Sequence, residues 1–233
     1  MNAFVLTAGK GTRLGDAAKG KSKPLVEIGG RPLLSIIVEK LRQIGIEHIF
    51  LNSHYLPEQL VNFRLTSPFK DQITILHEKE LLGTAGTIKA FLKIIPQDEL
   101  LVMHGDNFFD DNLMRLKDAF GALTLPYQGV VGTFLTADPS QCGIFKIGTN
   151  HEIQELHEKT EPIYGDIANA AIYIFNRGGL AEFGELSTFE SDISRHLLPR
   201  LLNKLIAVPL DGHFIDIGTP ENLQKARQVS IRN

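Results

Sequence analysis

An α/β fold with a mostly parallel sheet is predicted by three features of the chain. Short apolar runs of strand length alternate with segments whose apolar residues recur at helical spacing. The first such run leads at once into a glycine-rich stretch, residues 9–20. The 233 residues, 43% hydrophobic and 22% charged, can bury a substantial core and lack the bias of a disordered or fibrous chain.

In chain order, residues 3–6 read as a buried strand and 9–20 as a loop. Residues 33–44 carry apolar side chains at helical spacing and stop at Gly45. Residues 48–52 read as a strand, 57–63 as a helix and 73–77 as a strand. Residues 87–95 have a helical period, which Pro96 helps to end, and 100–104 form an apolar run closing in Gly105-Asp106. In the second half, 129–135, 142–147 and 170–175 are strand-like and 192–202 has a helical period. Residues 205–208 and 213–217 are strand-like again, and 220–229 close the chain as a helix. No linker or composition break divides the chain, so a single domain over 1–233 is expected.

Charge and cysteine content narrow the function classes. Lys+Arg 24 against Asp+Glu 27 leaves a net charge of -3, which argues against a nucleic-acid or anionic-membrane surface. Cys142 is the only cysteine; it cannot form an internal disulfide, and no Cys/His spacing suggests zinc. The first residues lack the basic and apolar regions of a signal peptide, and no apolar run reaches about 18 residues. A cytoplasmic protein with no nucleic-acid or membrane partner is expected.

Three groups of residues could carry chemistry. The loop Leu6-Thr7-Ala8-Gly9-Lys10-Gly11-Thr12-Arg13-Leu14 places glycines directly after a strand, where bare backbone N–H groups can approach phosphate. Arg13 adds a forked, permanent cation. The loop lacks the Gly-Lys-Ser/Thr of a Walker A motif, and Leu14 stands where a dinucleotide fingerprint has its third glycine. Lys23-Pro24-Leu25 supplies a second cation suited to a polyphosphate. Asp106 and Asp216 each sit at or near the end of a strand-like run, where α/β sheets bind ligands, and a pair of aspartates there suits Mg²⁺. Either aspartate alone would equally serve as a cap or turn residue, and spacing does not say whether the two meet.

The loop with Lys23-Pro24-Leu25 closely resembles the signature of the sugar-1-phosphate nucleotidylyltransferases, the sugar-nucleotide pyrophosphorylases. Leu82-Gly83-Thr84-Ala85-Gly86 resembles that family's base-side loop, Gly105-Asp106 its first metal aspartate and Gly143 its sugar-side glycine. Glu158-Lys159 is similar to its Glu-Lys pair, Asn169-Ala170-Ala171 to its Asn-Ala-Gly, and Asp216-Ile217-Gly218-Thr219-Pro220 to its second metal aspartate in context. The resemblance covers nearly the whole chain. Ala171 departs from it, standing where the family usually has glycine.

The resemblance implies a Rossmann-like three-layer α/β/α mixed sheet of the nucleotide-diphospho-sugar transferase type. It further implies a nucleotide-binding half over about 1–110 and a sugar-phosphate half over about 111–233. The implied reaction is attack of a sugar 1-phosphate on the α-phosphorus of a nucleoside triphosphate, with loss of pyrophosphate. Leu6, Ala8, Gly9, Gly11 and Thr12, with Gly83, Thr84, Ala85, Gly86 and Asp106, would hold the nucleotide. Arg13 and Lys23 would be catalytic, Asp106 and Asp216 would hold Mg²⁺, and Gly143, Glu158, Lys159 and Asn169 would hold the sugar phosphate. The stretch 82–86 has no amide side chain, whereas several uridylyl and thymidylyl members carry glutamine nearby. Glu78 and Glu80 ahead of it look more like guanylyltransferases, so GTP is favoured, with UTP or dTTP as the alternative.

Other readings are weighed against this one. A metal-dependent glycosyltransferase would show Asp-x-Asp where Asp106-Asn107-Phe108 stands. A cytidylyltransferase for phosphocholine would need a cage for the cation in place of Glu158 and Asn169. A non-catalytic sensor would have lost Arg13, Lys23 or an aspartate. No repeat domain follows residue 216, so a bifunctional acyltransferase is not expected, and monomer and homodimer both remain open.

Overall fold

The computed structural model describes residues 1–18, 20–95, 98–159 and 164–231, and Pro96 lies outside them. β1 (Asn2–Leu6) is followed by the 3-10 turns Thr12–Ala18 and Lys23–Leu25 and by the two-residue strands β2 (Glu27–Ile28) and β3 (Arg31–Pro32). Next come α1 (Leu33–Gln43), β4 (Ile49–Ser53), α2 (Pro57–Thr66), β5 (Ile73–His77), α3 (Thr84–Phe91), β6 (Glu99–His104) and β7 (Asn107–Phe109). The chain continues through α4 (Met114–Gly121), β8 (Gly129–Leu135), β9 (Gly143–Ile147), β10 (Ile153–Glu158), β11 (Ile167–Asn176) and α5 (Arg177–Gly184). It ends with β12 (Leu205–Pro209), β13 (Phe214–Asp216) and α6 (Pro220–Ser230).

These elements form two compact units that interleave along the sequence. Met1–Leu81, Met103–Asn112 and Gly212–Asn233 make the first; Leu82–Val102 and Leu113–Asp211 make the second. The strands are mixed in direction: β1, β4 and β5 of the first unit are parallel beside the short antiparallel pairs β2–β3 and β7–β13, and the second unit is mainly antiparallel.

In the first unit, β4 pairs in parallel with β1 through Ala3↔Ile49 and Val5↔Leu51, and with β5 through Ile49↔Ile73 and Ser53↔His77. Ala3, Phe4 and Val5 are all fully buried, which is why β1 reads as a continuous apolar run rather than an alternating one. α1 buries Leu33, Leu34, Ile37, Val38 and Leu41, one stripe at helical spacing. The matched registers bring the carboxyl ends of β1, β4 and β5 level. A short antiparallel ladder, β7 with β13, pairs Phe109↔Phe214 and Asn107↔Asp216, and the Phe109 and Phe214 rings stack at 5.8 Å.

In the second unit, β11 runs antiparallel to β8 and β9, β9 runs antiparallel to β10, and β12 runs parallel to β8. β11 breaks register between Asn169 and Tyr173. Inside the break the Asn169 side chain accepts the Ala171 N–H at 2.9 Å, and Ala171 is held at φ 54°. A Cβ at such a φ costs about 1 kcal/mol relative to glycine. Ala171→Gly is therefore expected to raise the unfolding free energy by about that amount, visible as a higher urea midpoint at unchanged slope.

Four segments differ from the sequence reading. Residues 192–202 are not one α-helix but a π turn, Ile193–Leu197, joined to a 3-10 turn, Leu198–Leu201. Pro199 lacks the N–H that an α-helix needs there. α3 begins at Thr84, earlier than its apolar spacing indicates, because Ser191 anchors its first turn. β10 and α5 have no clear signal in the sequence.

Candidate functional site

The first unit gathers Arg13, Lys23, Asp106 and Asp216. Lys23 opens a short 3-10 turn with Pro24 behind it, and its side chain is 7% exposed. Its ammonium donates to Asp106 Oδ2 at 2.5 Å and to Asp216 Oδ1 at 3.1 Å. Asp106 follows β6, and Asp216 ends β13. Pairing of Asn107 with Asp216 and the Ile217 N–H bonded to the Asp106 carbonyl (3.0 Å) hold the two chain segments together. The Gly218 N–H donates to Asp216 Oδ1 at 2.8 Å, and Arg13 Nη2 lies 4.0 Å from Asp216 Oδ2.

Glycines make this approach possible. Gly11 has φ 63°, and a Cβ there would lie 3.2 Å from Lys23 Cβ. A Cβ on Gly218 would lie 3.2 Å from Lys23 Nζ and 2.9 Å from Asp216 Oδ1. A Cβ on Gly105 would come within 2.7 Å of Thr7 Cγ2, so only glycine lets the Asp106 turn close on the end of β1. A Cβ on Gly9, by contrast, would meet nothing within 4 Å, which leaves that face of the loop open to a ligand.

Burial pushes the Asp106 carboxyl up, but the Lys23 ammonium, helped by His104 and by the hydrogen bond from Lys23, outweighs burial and holds it below its ordinary range. Ionised Asp106 therefore stabilises the fold above about pH 3.9, the unfolded value, and that contribution is lost as pH falls through the lower folded value. In Lys23→Met burial acts against His104 and a backbone hydrogen bond only, so the Asp106 carboxyl moves up from its wild-type position. The stability gap between wild type and Lys23→Met is expected to narrow as pH is lowered from 7 to 4, measured by urea unfolding. A gap that widens would contradict this electrostatic account.

A buried polar chain lies at the ends of β1, β4 and β5. Thr7, Asn52 and Glu78 are each 3% exposed. The Thr7 N–H donates to Asn52 Oδ1 at 2.6 Å, the Thr7 hydroxyl donates to the Asn52 carbonyl, and Asn52 Nδ2 donates to Glu78 Oε1 at 2.8 Å. The Glu78 N–H donates to the Ser53 carbonyl at 2.8 Å, and His54 Nδ1 meets the Glu78 carbonyl at 3.1 Å. Ala8, Gly9 and Gly11 thus lie on a loop, between Leu6 at the end of β1 and Thr12 at the start of the 3-10 turn, whose root is fixed by a carboxylate two strands away.

The second unit holds the remaining expected residues in two places. Gly83 has φ 77°, and a Cβ there would strike the Ser191 carbonyl at 2.5 Å. The Ala85 and Gly86 N–H groups donate to that carbonyl at 2.8 and 3.3 Å, and Thr84 Oγ1 accepts the Ile193 N–H at 2.8 Å. The first amides of α3 are thus engaged within the unit. Elsewhere, Gly143 pairs with Glu158 across β9 and β10, and a Cβ on Gly143 would lie 2.5 Å from Glu158 Oε2. Lys159, at φ 51°, donates its N–H to the Cys142 carbonyl at 3.3 Å. Asn169 donates to the Tyr173 hydroxyl at 2.9 Å, and burial pushes the Tyr173 phenol well up.

Asp106 and Asp216 already share one cation, the Lys23 ammonium, so their oxygens are placed to share another. An all-oxygen donor pair suits a hard ion that completes its shell with phosphate oxygens and water. Among the described residues no group of three or more His, Cys, Asp or Glu could hold a metal without such help. No described helix is long and apolar enough to cross a membrane.

Sequence reading misses Thr7, Asn52, Ser191 and Gly218 as members of these sites. Gly218 carries the clearest sequence signal of them, standing two residues after Asp216 in the run that ends at Pro220.

Comparison with known proteins gives a consistent picture. The family model described as Nucleotidyl transferase matches residues 2–232. The bifunctional protein GlmU of Methanocaldococcus jannaschii is 29% identical over 239 residues, covering 99% of this chain and 54% of the relative. This chain therefore spans about half the length of that relative. D-glycero-alpha-D-manno-heptose 1-phosphate guanylyltransferase of Campylobacter jejuni is 32% identical over 232 residues, covering 95% and 96%. Among solved structures, HddC from Yersinia pseudotuberculosis complexed with GMP-PN superposes with a TM-score of 0.80 at 25% identity, covering 97% and 98%.

Proposed function

Since the chain belongs to the Nucleotidyl transferase family, we propose that it transfers a guanylyl group from GTP to a sugar 1-phosphate, using Mg²⁺ and releasing pyrophosphate. The observation that carries this reading is the cluster in which one buried ammonium meets Asp106 at 2.5 Å and Asp216 at 3.1 Å beside Arg13. Two carboxylates with two cations, at the root of a glycine loop, suit a charge-dense phosphoryl transfer.

The nucleophile is a sugar-phosphate oxygen, already anionic, so no general base is required. Its bond to the α-phosphorus forms as the bond to the pyrophosphate oxygen breaks. Backbone N–H groups around Gly9 and Gly11 cradle the triphosphate. Arg13, 69% exposed and able to follow a moving group, neutralises the departing pyrophosphate. Lys23 lies between the α-phosphate and the incoming sugar phosphate and offsets their repulsion. Mg²⁺ held by Asp106 and Asp216 would neutralise the α-phosphate and fix its orientation.

On the second unit, Glu158 accepts from sugar hydroxyls and Lys159 pairs with the sugar phosphate. The Asn169 oxygen, already bonded to Ala171, keeps a second lone pair for a hydroxyl. Gly83, Thr84, Ala85 and Gly86 border the base, the amides of Ala85 and Gly86 being engaged by Ser191. Guanine is favoured because residues 82–86 carry no amide side chain and Glu78 and Glu80 stand ahead of them, carboxylates that only accept, while the guanine N1–H and N2–H₂ edge has two donors. The similarity to a guanylyltransferase supports the same base.

The test is direct competition. GTP, UTP, dTTP, CTP and ATP are mixed at equal concentration with Mg²⁺ and a pool of sugar 1-phosphates, and the products are identified by mass. GDP-sugar as the dominant product is expected. Dominant UDP- or dTDP-sugar would overturn the choice of base while leaving the reaction class intact.

A further inference from the structure

Lys23 is assigned two places by the proposed reaction. Its ammonium is shared between Asp106 Oδ2 and Asp216 Oδ1 at 2.5 and 3.1 Å. The same carboxylates are asked to hold a divalent cation, and the same ammonium is asked to reach phosphate. An ammonium and a divalent ion on one pair of carboxylates would repel strongly and compete for the same lone pairs.

The packing suggests how the conflict is resolved. Without a cation between them, two carboxylates this close would repel each other. Lys23 therefore holds one oxygen of each within hydrogen-bond reach of a single ammonium, at 2.5 and 3.1 Å. Gly11 and Gly218 flank the lysine, and each would crowd it at 3.2 Å if it carried a Cβ. The bare glycines remove the two Cβ atoms that would press on the unbranched lysine stem.

Resting on the reading above, we infer that Lys23 is a built-in counter-ion, exchanged for the divalent cation as the site loads. In that exchange Lys23 leaves the two aspartates and its ammonium passes to phosphate. No covalent bond changes. The protein alone should bind the metal weakly, because one set of ion pairs is traded for another. With nucleotide present the released ammonium gains a phosphate partner, so metal and nucleotide bind cooperatively.

The experiment is a Mn²⁺ titration of the full chain without nucleotide, read from the electron paramagnetic resonance signal of free Mn²⁺. Lys23→Met should bind Mn²⁺ at least about tenfold more tightly than wild type. Lys23→Arg keeps the charge and should bind as weakly as wild type. Equal affinity in wild type and Lys23→Met overturns the inference. A second readout needs no variant: acetylation of lysines by a small neutral reagent, mapped by mass spectrometry. Lys23 should be protected in the protein alone and become several-fold more reactive at saturating Mn²⁺, with exposed Lys21 as the internal reference. Unchanged Lys23 reactivity would equally overturn it. The two layers fail separately. GDP-sugar formation with both readouts flat removes the counter-ion role alone. Tightened Mn²⁺ binding in Lys23→Met without product from any triphosphate upholds the exchange and removes the proposed reaction.

Discussion

Asp106→Asn is expected to lower kcat by about a thousandfold or more while leaving the protein folded, since the group that holds the metal is worth several kcal/mol of transition-state stabilisation. Asparagine has nearly the same shape but no charge. It can neither balance Lys23 nor bind a hard cation with a full carboxylate. Asp216→Asn should act in the same direction. Asp216 is the more exposed of the two, 51% against 31% by side chain, so its loss should perturb stability less. The checking measurement is steady-state kcat as a function of Mg²⁺, alongside a urea unfolding curve for each variant. A folded Asp106→Asn protein with near-wild-type kcat would exclude Asp106 from the metal site.

The second large effect is on choice of base. Glu78→Gln should lower kcat/KM for GTP by about 10- to 100-fold, the range set by one hydrogen bond to a charged group. It should raise the value for UTP. A carboxylate only accepts, which matches the two donors of guanine. An amide whose oxygen stays on Asn52 offers its N–H₂ instead, which opposes the guanine donors and matches a uracil carbonyl. The substitution keeps an oxygen for Asn52 Nδ2, now 2.8 Å from Glu78 Oε1, so the root of the Thr7 loop can survive. The readout is the GTP/UTP ratio of kcat/KM. An equal loss with all five triphosphates would instead make Glu78 a positioning residue acting through Asn52.

Much of the fold is legible in the sequence because it rests on local rules. Gly11 and Gly83 adopt positive φ; the first stands out from its place in the glycine loop after β1, the second from the resemblance of residues 82–86. β1 and β6 read clearly because strands buried along most of their length are short continuous apolar runs, and β4 and β5 because they open on Ile-Phe-Leu and Ile-Thr-Ile-Leu. β10 does not: in Ile153-Gln154-Glu155-Leu156-His157-Glu158 only Ile153 is buried, and its polar face blurs the alternation. α5 is eight residues with three glycines, too short and too poor in helix formers to announce itself. Residues 192–202 keep a helical period through turns of another type, because periodicity does not sense the missing N–H of Pro199.

The site is legible as a set of residues and not as a geometry. Lys23 and Asp216 are separated by 193 positions, and only the return of Gly212–Asn233 to the first unit brings them together. Asn52 looks like a strand-end residue because its importance lies in a bond between neighbouring strands, which no single segment reveals, and Glu78, noted in the sequence only as a base-side carboxylate, is the other end of that bond. Asn169 reads as a sugar ligand from resemblance, yet its most evident task is to hold the break in β11 with Ala171.

The most direct test of the account is pyrophosphate release by the wild-type chain with GTP, Mg²⁺ and a pool of sugar 1-phosphates, with GDP-sugar counted in the same reaction. The account predicts release that requires both substrates, one pyrophosphate per GDP-sugar, and none from Asp106→Asn or Asp216→Asn. Release without a sugar 1-phosphate, or no release from any of the five triphosphates, would contradict it.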